Sequence, residues 1–242
     1  MNSEHKVDQI ALVFGVGPGL GLALVHCFAK AGMKVGMAAR NSERLQTWCT
    51  ELTDKGAQIK VYACDATNEN EVSNTFNSIQ QDFGTPDVVI FNAGAFMPAE
   101  VLEIKPEDFE QCWRVGCFGG FLVGREAAKL MLGQGSGTII FTGATASLRG
   151  SANFANLAVG KFGLRALVQS MARELGPKGI HIAHVIIDGQ IQSERYAELA
   201  KEKPEDGLLN PDAIADSYLQ LHLQHRSAWT LELDLRPWVE KF

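Results

Sequence analysis

Short apolar runs rich in β-branched residues alternate along this chain with stretches long enough for several helical turns. A tight turn cannot join parallel strands, so strands separated by helices imply a parallel sheet linked by right-handed crossovers. The spacing predicts strands at Ile10–Phe14, Lys34–Ala39, Gln58–Ala63, Asp87–Phe91, Thr138–Phe141, Ile180–Ile187 and Leu231–Leu235. Helices are expected at Gly19–Ala31, from Ser42 to about Lys55, over Glu69–Phe83, from Pro106 to about Leu132, over Asn153–Leu175, and from Pro211 to about Gln224. Ser42 is read as an N-cap, Gly32 and Gly56 as C-caps, and Pro106 as the first helical residue. The early strands lack a polar alternation, as strands covered on both faces do. No linker, internal repeat or low-complexity segment divides the chain. The expectation is α/β: a doubly wound parallel sheet of about seven strands with helices on both faces, in one domain over 1–242.

The segment Val13-Phe14-Gly15-Val16-Gly17-Pro18-Gly19-Leu20-Gly21 closes the first strand and opens the first helix. A loop there must turn sharply, let a pyrophosphate approach the backbone and aim the helix N-terminus at its charge. Glycine serves these needs because it lacks a Cβ and tolerates positive φ. The pattern is Gly15-x-x-x-Gly19-x-Gly21, not the commoner G-x-G-x-x-G. A glycine-rich turn that binds nothing is the plain alternative. The strand–loop–helix setting instead favours the dinucleotide site of a Rossmann fold.

This spacing resembles that of the short-chain dehydrogenase/reductase family, and the resemblance runs from about residue 8 to the C-terminus. Phe91-Asn92-Ala93-Gly94 is similar to the family's N-A-G motif, and Cys64-Asp65-Ala66 to the segment bearing its adenine-contacting aspartate. Lys161 stands where the family keeps its active-site lysine, and Asp188-Gly189-Gln190-Ile191 where it usually has Pro-Gly. The resemblance implies a cofactor-binding set of Gly15, Gly19, Leu20, Gly21, Arg40, Asp65, Ala66, Asn92, Ala93, Gly94, Lys161 and Ile191, and a substrate segment near 190–210. An acid at the end of the second strand would hold the ribose 2′-hydroxyl of NAD, but that position is Ala39, followed by Arg40. A guanidinium suits a 2′-phosphate, so NADP(H) is the expected cofactor, with NAD(H) as the alternative. Against it stands the reading of Arg40 as a solvated surface residue.

At the catalytic positions the sequence departs from its relatives. The family uses a Tyr-x-x-x-Lys pair, a serine thirteen residues before the tyrosine, and an asparagine in the preceding long helix. Counting back from Lys161, the tyrosine position is Leu157 and the serine position Ala144, and Gly116 aligns with the asparagine. No tyrosine lies between Tyr62 and Tyr196. Lys161 alone remains as a catalytic candidate. Thr145, Ser147 and Tyr196 are substitute donors to be weighed against turn chemistry or simple exposure, with water as a further proton source. Gly116, Gly119, Gly120 and Gly124 share one expected helix, so close backbone approach, or a local kink, is anticipated there. The resemblance also implies that this helix and the one bearing Lys161 form a subunit interface, in a homodimer or homotetramer.

The net charge of −6 gives no electrostatic reason for a nucleic-acid or anionic-membrane partner. No apolar run approaches the roughly 18 residues of a membrane span. The start, Met1-Asn2-Ser3-Glu4-His5-Lys6, is polar and mixed in charge, unlike a signal peptide. Cysteines 27, 49, 64, 112 and 117 lack disulfide or zinc spacing, which fits a reducing, cytoplasmic setting. His181 and His184 should face opposite ways on their strand, and His222 and His225 should lie at a solvated helix end, so no metal site is expected. Trp229, Trp238 and Phe242 read as closing core or interface aromatics. Three functions compete: an NADP(H)-dependent oxidoreductase with a non-standard active site acting on a small carbonyl, alcohol or alkene; a nucleotide-binding regulator or oligomer partner; and a purely structural protein. The intact nucleotide motifs favour the first.

Overall fold

The computed structural model describes residues 8–240. The start of the chain and Phe242, read above for a signal peptide and a closing aromatic, lie outside the described residues. Seven parallel strands, β1 (Ile10–Phe14), β2 (Lys34–Ala39), β3 (Ile59–Ala63), β4 (Val88–Phe91), β5 (Gly137–Thr142), β6 (Ile180–Ile187) and β7 (Glu232–Leu235), form one sheet. Their order is β3-β2-β1-β4-β5-β6-β7, so the winding reverses between β1 and β4. The helices are α1 (Leu20–Lys30), α2 (Ser42–Thr53), α3 (Glu69–Asp82), α4 (Pro106–Trp113), α5 (Gly119–Gln134), α6 (Ala155–Leu175), α7 (Ala197–Glu202) and α8 (Pro211–His222).

Alternation along β1 shows why the sheet needs cover on both sides. Ala11 and Val13 pack with α1, α2 and α8 through residues such as Leu24, Leu45 and Ile214. Leu12 and Phe14 pack with α3, α5 and α6 through Phe76, Leu122 and Leu164. Phe14, Phe91 and Phe141 are essentially inaccessible, and each such side chain stabilises the fold by about 1.5–3 kcal/mol relative to exposure. The expected doubly wound parallel sheet of the Rossmann fold is what forms.

The strand positions hold to within a residue, and the departures have local causes. Asn41, not Ser42, caps α2: its side chain accepts from the backbone N–H of Arg44 at 3.1 Å. The long helix expected from Pro106 is interrupted by a π-turn at Arg114–Phe118, which divides α4 from α5. Its glycines allow the close approach expected of them. A Cβ on Gly120 would lie 2.5 Å from Leu164 Cδ1 on α6. The short helix α7 falls inside 190–210, where none was expected.

Candidate functional site

The carboxyl ends of the strands, at the reversal between β1 and β4, are where an open α/β sheet leaves a crevice. Two cavities open there and share the glycine loop and Asn92. One, of about 330 Å³, lies toward β2 and β3. The other, of about 600 Å³, lies toward β5, β6 and the segment after β6.

The loop between them is shaped by its own backbone. Gly15 has φ +81°, and a Cβ there would sit 2.5 Å from the backbone nitrogen of Ala93. Gly19, the N-cap of α1, has φ +91°, and a Cβ on Gly21 would meet the Gly15 carbonyl oxygen at 2.9 Å. Gly17 differs: a Cβ there would find nothing within 4 Å, so packing does not require glycine. What its absence leaves is open space beside the first turn of α1, which a phosphate needs. Asn92 braces the loop, its Nδ2 donating to the Gly15 carbonyl at 3.1 Å. A dinucleotide laid across this loop would reach both cavities.

The smaller cavity gathers Arg40, Asp65, Ala66, Ala93 and Gly94 from separate connections. Asp65 Oδ1 accepts from Thr67 N and Thr67 Oγ1, both at 2.8 Å, which fixes the turn after β3. Arg44 and Trp48 of α2 also line it, with the Arg44 guanidinium 5.1 Å from the centre of the Trp48 ring. The sequence reading missed both. The spacing of Arg40 and Arg44 was the available signal, but alone it is indistinguishable from a solvated helix start. Among the described residues neither arginine has an ion-pair partner.

Toward β5 and β6, Leu20, Ile191, Leu157 and Ala144 line the larger cavity. Leu157 and Ala144, the positions aligned with tyrosine and serine, thus present only carbon to it. Gly116 packs against α6, its Cβ position 3.8 Å from Gly160 Cα. Lys161 is buried and donates from Nζ to the Thr142 carbonyl at 2.7 Å. Desolvation pushes its pKa down to about 8. A Cβ on Gly94 would come within 3.9 Å of that Nζ, which places the lysine between β4 and β5 beneath the cavity.

The three substitute donors separate clearly. Ser147 is inaccessible; its Oγ accepts from Ala144 N at 3.1 Å and lies 3.4 Å from His184 Nε2 behind the cavity. Thr145 lines the cavity but donates to Asp188 Oδ1 at 2.5 Å. Tyr196 lines it and is half-buried. The other two tyrosines point elsewhere, Tyr62 donating to Asp82 and Tyr218 bonded inside the core to Thr142 Oγ1.

The histidines partly depart from expectation. His181 and His184 do face opposite ways, His181 stacking on Trp229 with ring centres 4.9 Å apart. His222 is not on a solvated end: it is mostly buried, its Nδ1 is 3.0 Å from Thr138 Oγ1, and desolvation pushes its pKa down to about 4. Its neighbour Phe28 holds it against the core, while His225 stays exposed. Trp229 packs on His181 of β6, whereas Trp238 is 74% exposed, which excludes a core role for it, and its indole N–H donates to the Glu205 carbonyl. No cluster of three metal-ligating side chains occurs among the described residues, and no helix there is long and apolar enough to cross a membrane.

Comparison with known proteins agrees with this architecture. A crystal structure of a short-chain dehydrogenase from Rhodopseudomonas palustris is 41% identical and superposes with a TM-score of 0.84, covering 96% of this chain and 99% of that one. A metagenomic short-chain oxidoreductase crystallised in complex with NADP is 24% identical with a TM-score of 0.83, over 96% and 98% of the two chains. The short chain aldehyde dehydrogenase 1 of Euphorbia lathyris is 28% identical over 182 residues, 74% of this chain but only 63% of that protein's length. Residues 9–204 match the short chain dehydrogenase family, and the chain belongs to that family.

Proposed function

We propose that this chain is an NADP(H)-dependent oxidoreductase that acts on a small carbonyl, alcohol or alkene with a non-standard active site. The carrying observation is the smaller cavity. Ala39 stands where an acid would bind a 2′-hydroxyl, and two guanidiniums with no ion-pair partner among the described residues, Arg40 and Arg44, flank the space beyond it. Planar guanidiniums match a phosphate dianion in geometry and charge, and the metagenomic relative was crystallised with NADP. In this reading Gly15, Gly17, Gly19, Leu20 and Gly21 seat the pyrophosphate, Asp65, Ala66, Ala93 and Gly94 border the adenosine half, Asn92 lies between the two cavities, and Ile191 borders the nicotinamide half.

Bound NADP(H) would supply or accept the hydride. The protein's own contribution is reduced. Lys161 keeps an amine that burial brings to about 8, close to neutral and suited to holding a ribose or moving a proton. Leu157 and Ala144 can neither protonate nor polarise a carbonyl oxygen. This is therefore an atypical member of its family, in which Tyr196 or water carries the proton. Missing one general acid typically lowers a rate by 10²–10⁴-fold, so turnover is expected to be slow unless the substrate brings its own acid.

The whole chain acts in this reading as one nucleotide-binding unit. Exposed Trp113, Phe121, Val159 and Phe162 around α4–α6 fit a homodimer or homotetramer face. The five free cysteines, with Cys27 and Cys64 pushed up to about 11 by burial, suit a reducing cytoplasm. The test is a fluorescence titration with NADPH and NADH. Arg40→Ala and Arg44→Ala should each weaken NADPH at least tenfold and NADH less than twofold. Equal losses for both nucleotides would remove the NADP assignment. Tight NADPH binding without oxidation across carbonyls and enones would remove the oxidoreductase reading.

A further inference from the structure

The larger cavity carries a charge pattern that the missing catalytic groups do not explain. Arg149, on the turn after β5, and Arg195, just before α7, both line it. Among the described residues neither guanidinium donates a hydrogen bond or forms an ion pair, although the Arg149 backbone N–H donates to the Thr145 carbonyl at 3.2 Å. Both arginines are exposed at the mouth of the cavity, and they put two cations on one wall of it in a chain of net charge −6.

Arg195 is held by its face. Its guanidinium carbon lies 4.9 Å from the centre of the Phe96 ring and 5.6 Å from that of Tyr196. Phe96 in turn packs against Phe154 at the start of α6, ring centres 5.6 Å apart. All four side chains line the cavity. Stacking occupies the flat faces of a guanidinium and leaves its in-plane N–H groups to bond elsewhere. A positioned cation with spare donors beside an aromatic wall matches a carboxylate attached to an apolar body.

Two acids line the same space. Asp188 is already committed: it accepts from Thr145 and lies 3.4 Å from Arg236 Nη2. Glu240 also lines the cavity and, among the described residues, has no ion-pair partner, so its charge counters the two cations. The cations outnumber the uncommitted acid, and only one of them is fixed by stacking.

We infer that the substrate is a small organic acid, an oxo- or hydroxycarboxylate with an apolar or aromatic body, whose carboxylate is bound by Arg195 with Arg149 in support. This rests on the oxidoreductase reading and names its substrate class. About 600 Å³ accommodates such an acid together with a nicotinamide. The uncharged face of Leu157 and Phe154 takes the body, and the carboxylate end sets the orientation.

The experiment is calorimetric titration of the NADP⁺-saturated protein with benzoylformate and with its uncharged methyl ester, a pair differing only at the carboxylate. The oxidised nucleotide cannot reduce a ketone, so binding is read without turnover. The acid should bind at least tenfold more tightly than the ester. Arg195→Ala should abolish that preference and leave NADPH affinity within twofold, and Arg195→Lys should restore part of it. Glu240→Gln, which removes an opposing charge, should tighten the acid two- to fivefold and leave the ester unchanged. Equal affinities, tighter ester binding, no binding of either at 10 mM, or a preference that survives Arg195→Ala would each overturn the proposal. Failure to bind NADPH would instead strike at the oxidoreductase reading.

Discussion

The two cavities of this molecule share a glycine loop but differ in what they retain. Toward β2 and β3, charged and polar groups (Arg40, Arg44, Asp65) stand where a phosphorylated ribose and an adenine would need them. Toward β5 and β6, Leu157 and Ala144 add only apolar side chains to the lining, and Arg149, Arg195 and Tyr196 line the same cavity. On the proposed reading, the parts that grip a nucleotide and those that would move a proton sit on separate elements of one sheet. The grip depends on the loop backbone and on charges at the crevice rim. Proton movement depends on a few side chains projecting from α6 and the β5 turn, which can change without disturbing either core layer.

The strongest way to sharpen that contrast is to restore what the larger cavity lacks. Leu157→Tyr with Ala144→Ser should raise kcat/KM by about 10²–10⁴-fold toward a carbonyl substrate. NADPH affinity should stay within about threefold, because neither residue lines the smaller cavity. Lys161 is already in place one turn along α6 from position 157. A gain below tenfold with intact binding would show that Gly116 or the altered segment after β6 also limits the reaction.

Acid should separate the halves next. Desolvation, with Lys161 and Arg165 adding repulsion and Glu232 opposing them, pushes His184 down to about 4 from an ordinary 6.5. His222, next to His181, is pushed down to about 4 as well. Between these values the unfolded chain binds protons that the folded chain refuses, so stability is complete above pH 6.5 and is lost as pH falls toward 4. The loss is on the order of 3 kcal/mol for each histidine. Denaturant unfolding at pH 7 and 4.5 measures it, and His184→Gln and His222→Gln should each flatten the dependence. His184 lies directly behind the β5 turn, where a Cβ on Gly143 would be 2.3 Å from its Nε2. Amide exchange at 142–147 should therefore rise with acid before exchange in β2. Earlier loosening of β2 would break the contrast.

Most of the fold was legible because the sheet is parallel. Strands such as β1 and β4 are buried on both faces and read as unbroken apolar runs, and Gly32 and Gly56 end helices at positive φ as their positions foretold. The glycines at 116–124 left a local kink as the alternative to close approach, and both occur, but nothing in the sequence marked the kink as a π-turn at Arg114–Phe118. In the site, the glycines that act through the backbone, Gly15, Gly19 and Gly21, were plain in the sequence, as was Asn92, whose side chain braces them. Arg44, Arg149 and Arg195 were not singled out. A surface arginine has no local pattern until tertiary structure brings it to a cavity. His222 failed for a related reason: helical spacing put it beside His225, but Thr138 and Phe28 cover it.

The smallest expected effect probes how the grip itself is built. Asn41 caps α2 and also lines the smaller cavity, so it sits between folding and binding. Asn41→Ala removes the acceptor for Arg44 N and should cost about 1 kcal/mol in denaturant unfolding. It also loosens the helical turn that carries Arg44, so NADPH affinity should fall two- to threefold. Asn41→Asp keeps a capping oxygen and places a negative charge at the N-terminus of a helix, which the macrodipole favours, so stability should be held. That same charge would face a 2′-phosphate, and NADPH affinity should fall further than with alanine while NADH affinity holds or improves. If aspartate and alanine weaken NADPH equally, Asn41 acts through the cap alone. If aspartate leaves NADPH untouched, the phosphate does not lie beside α2, and the smaller cavity loses the charge argument that set it apart.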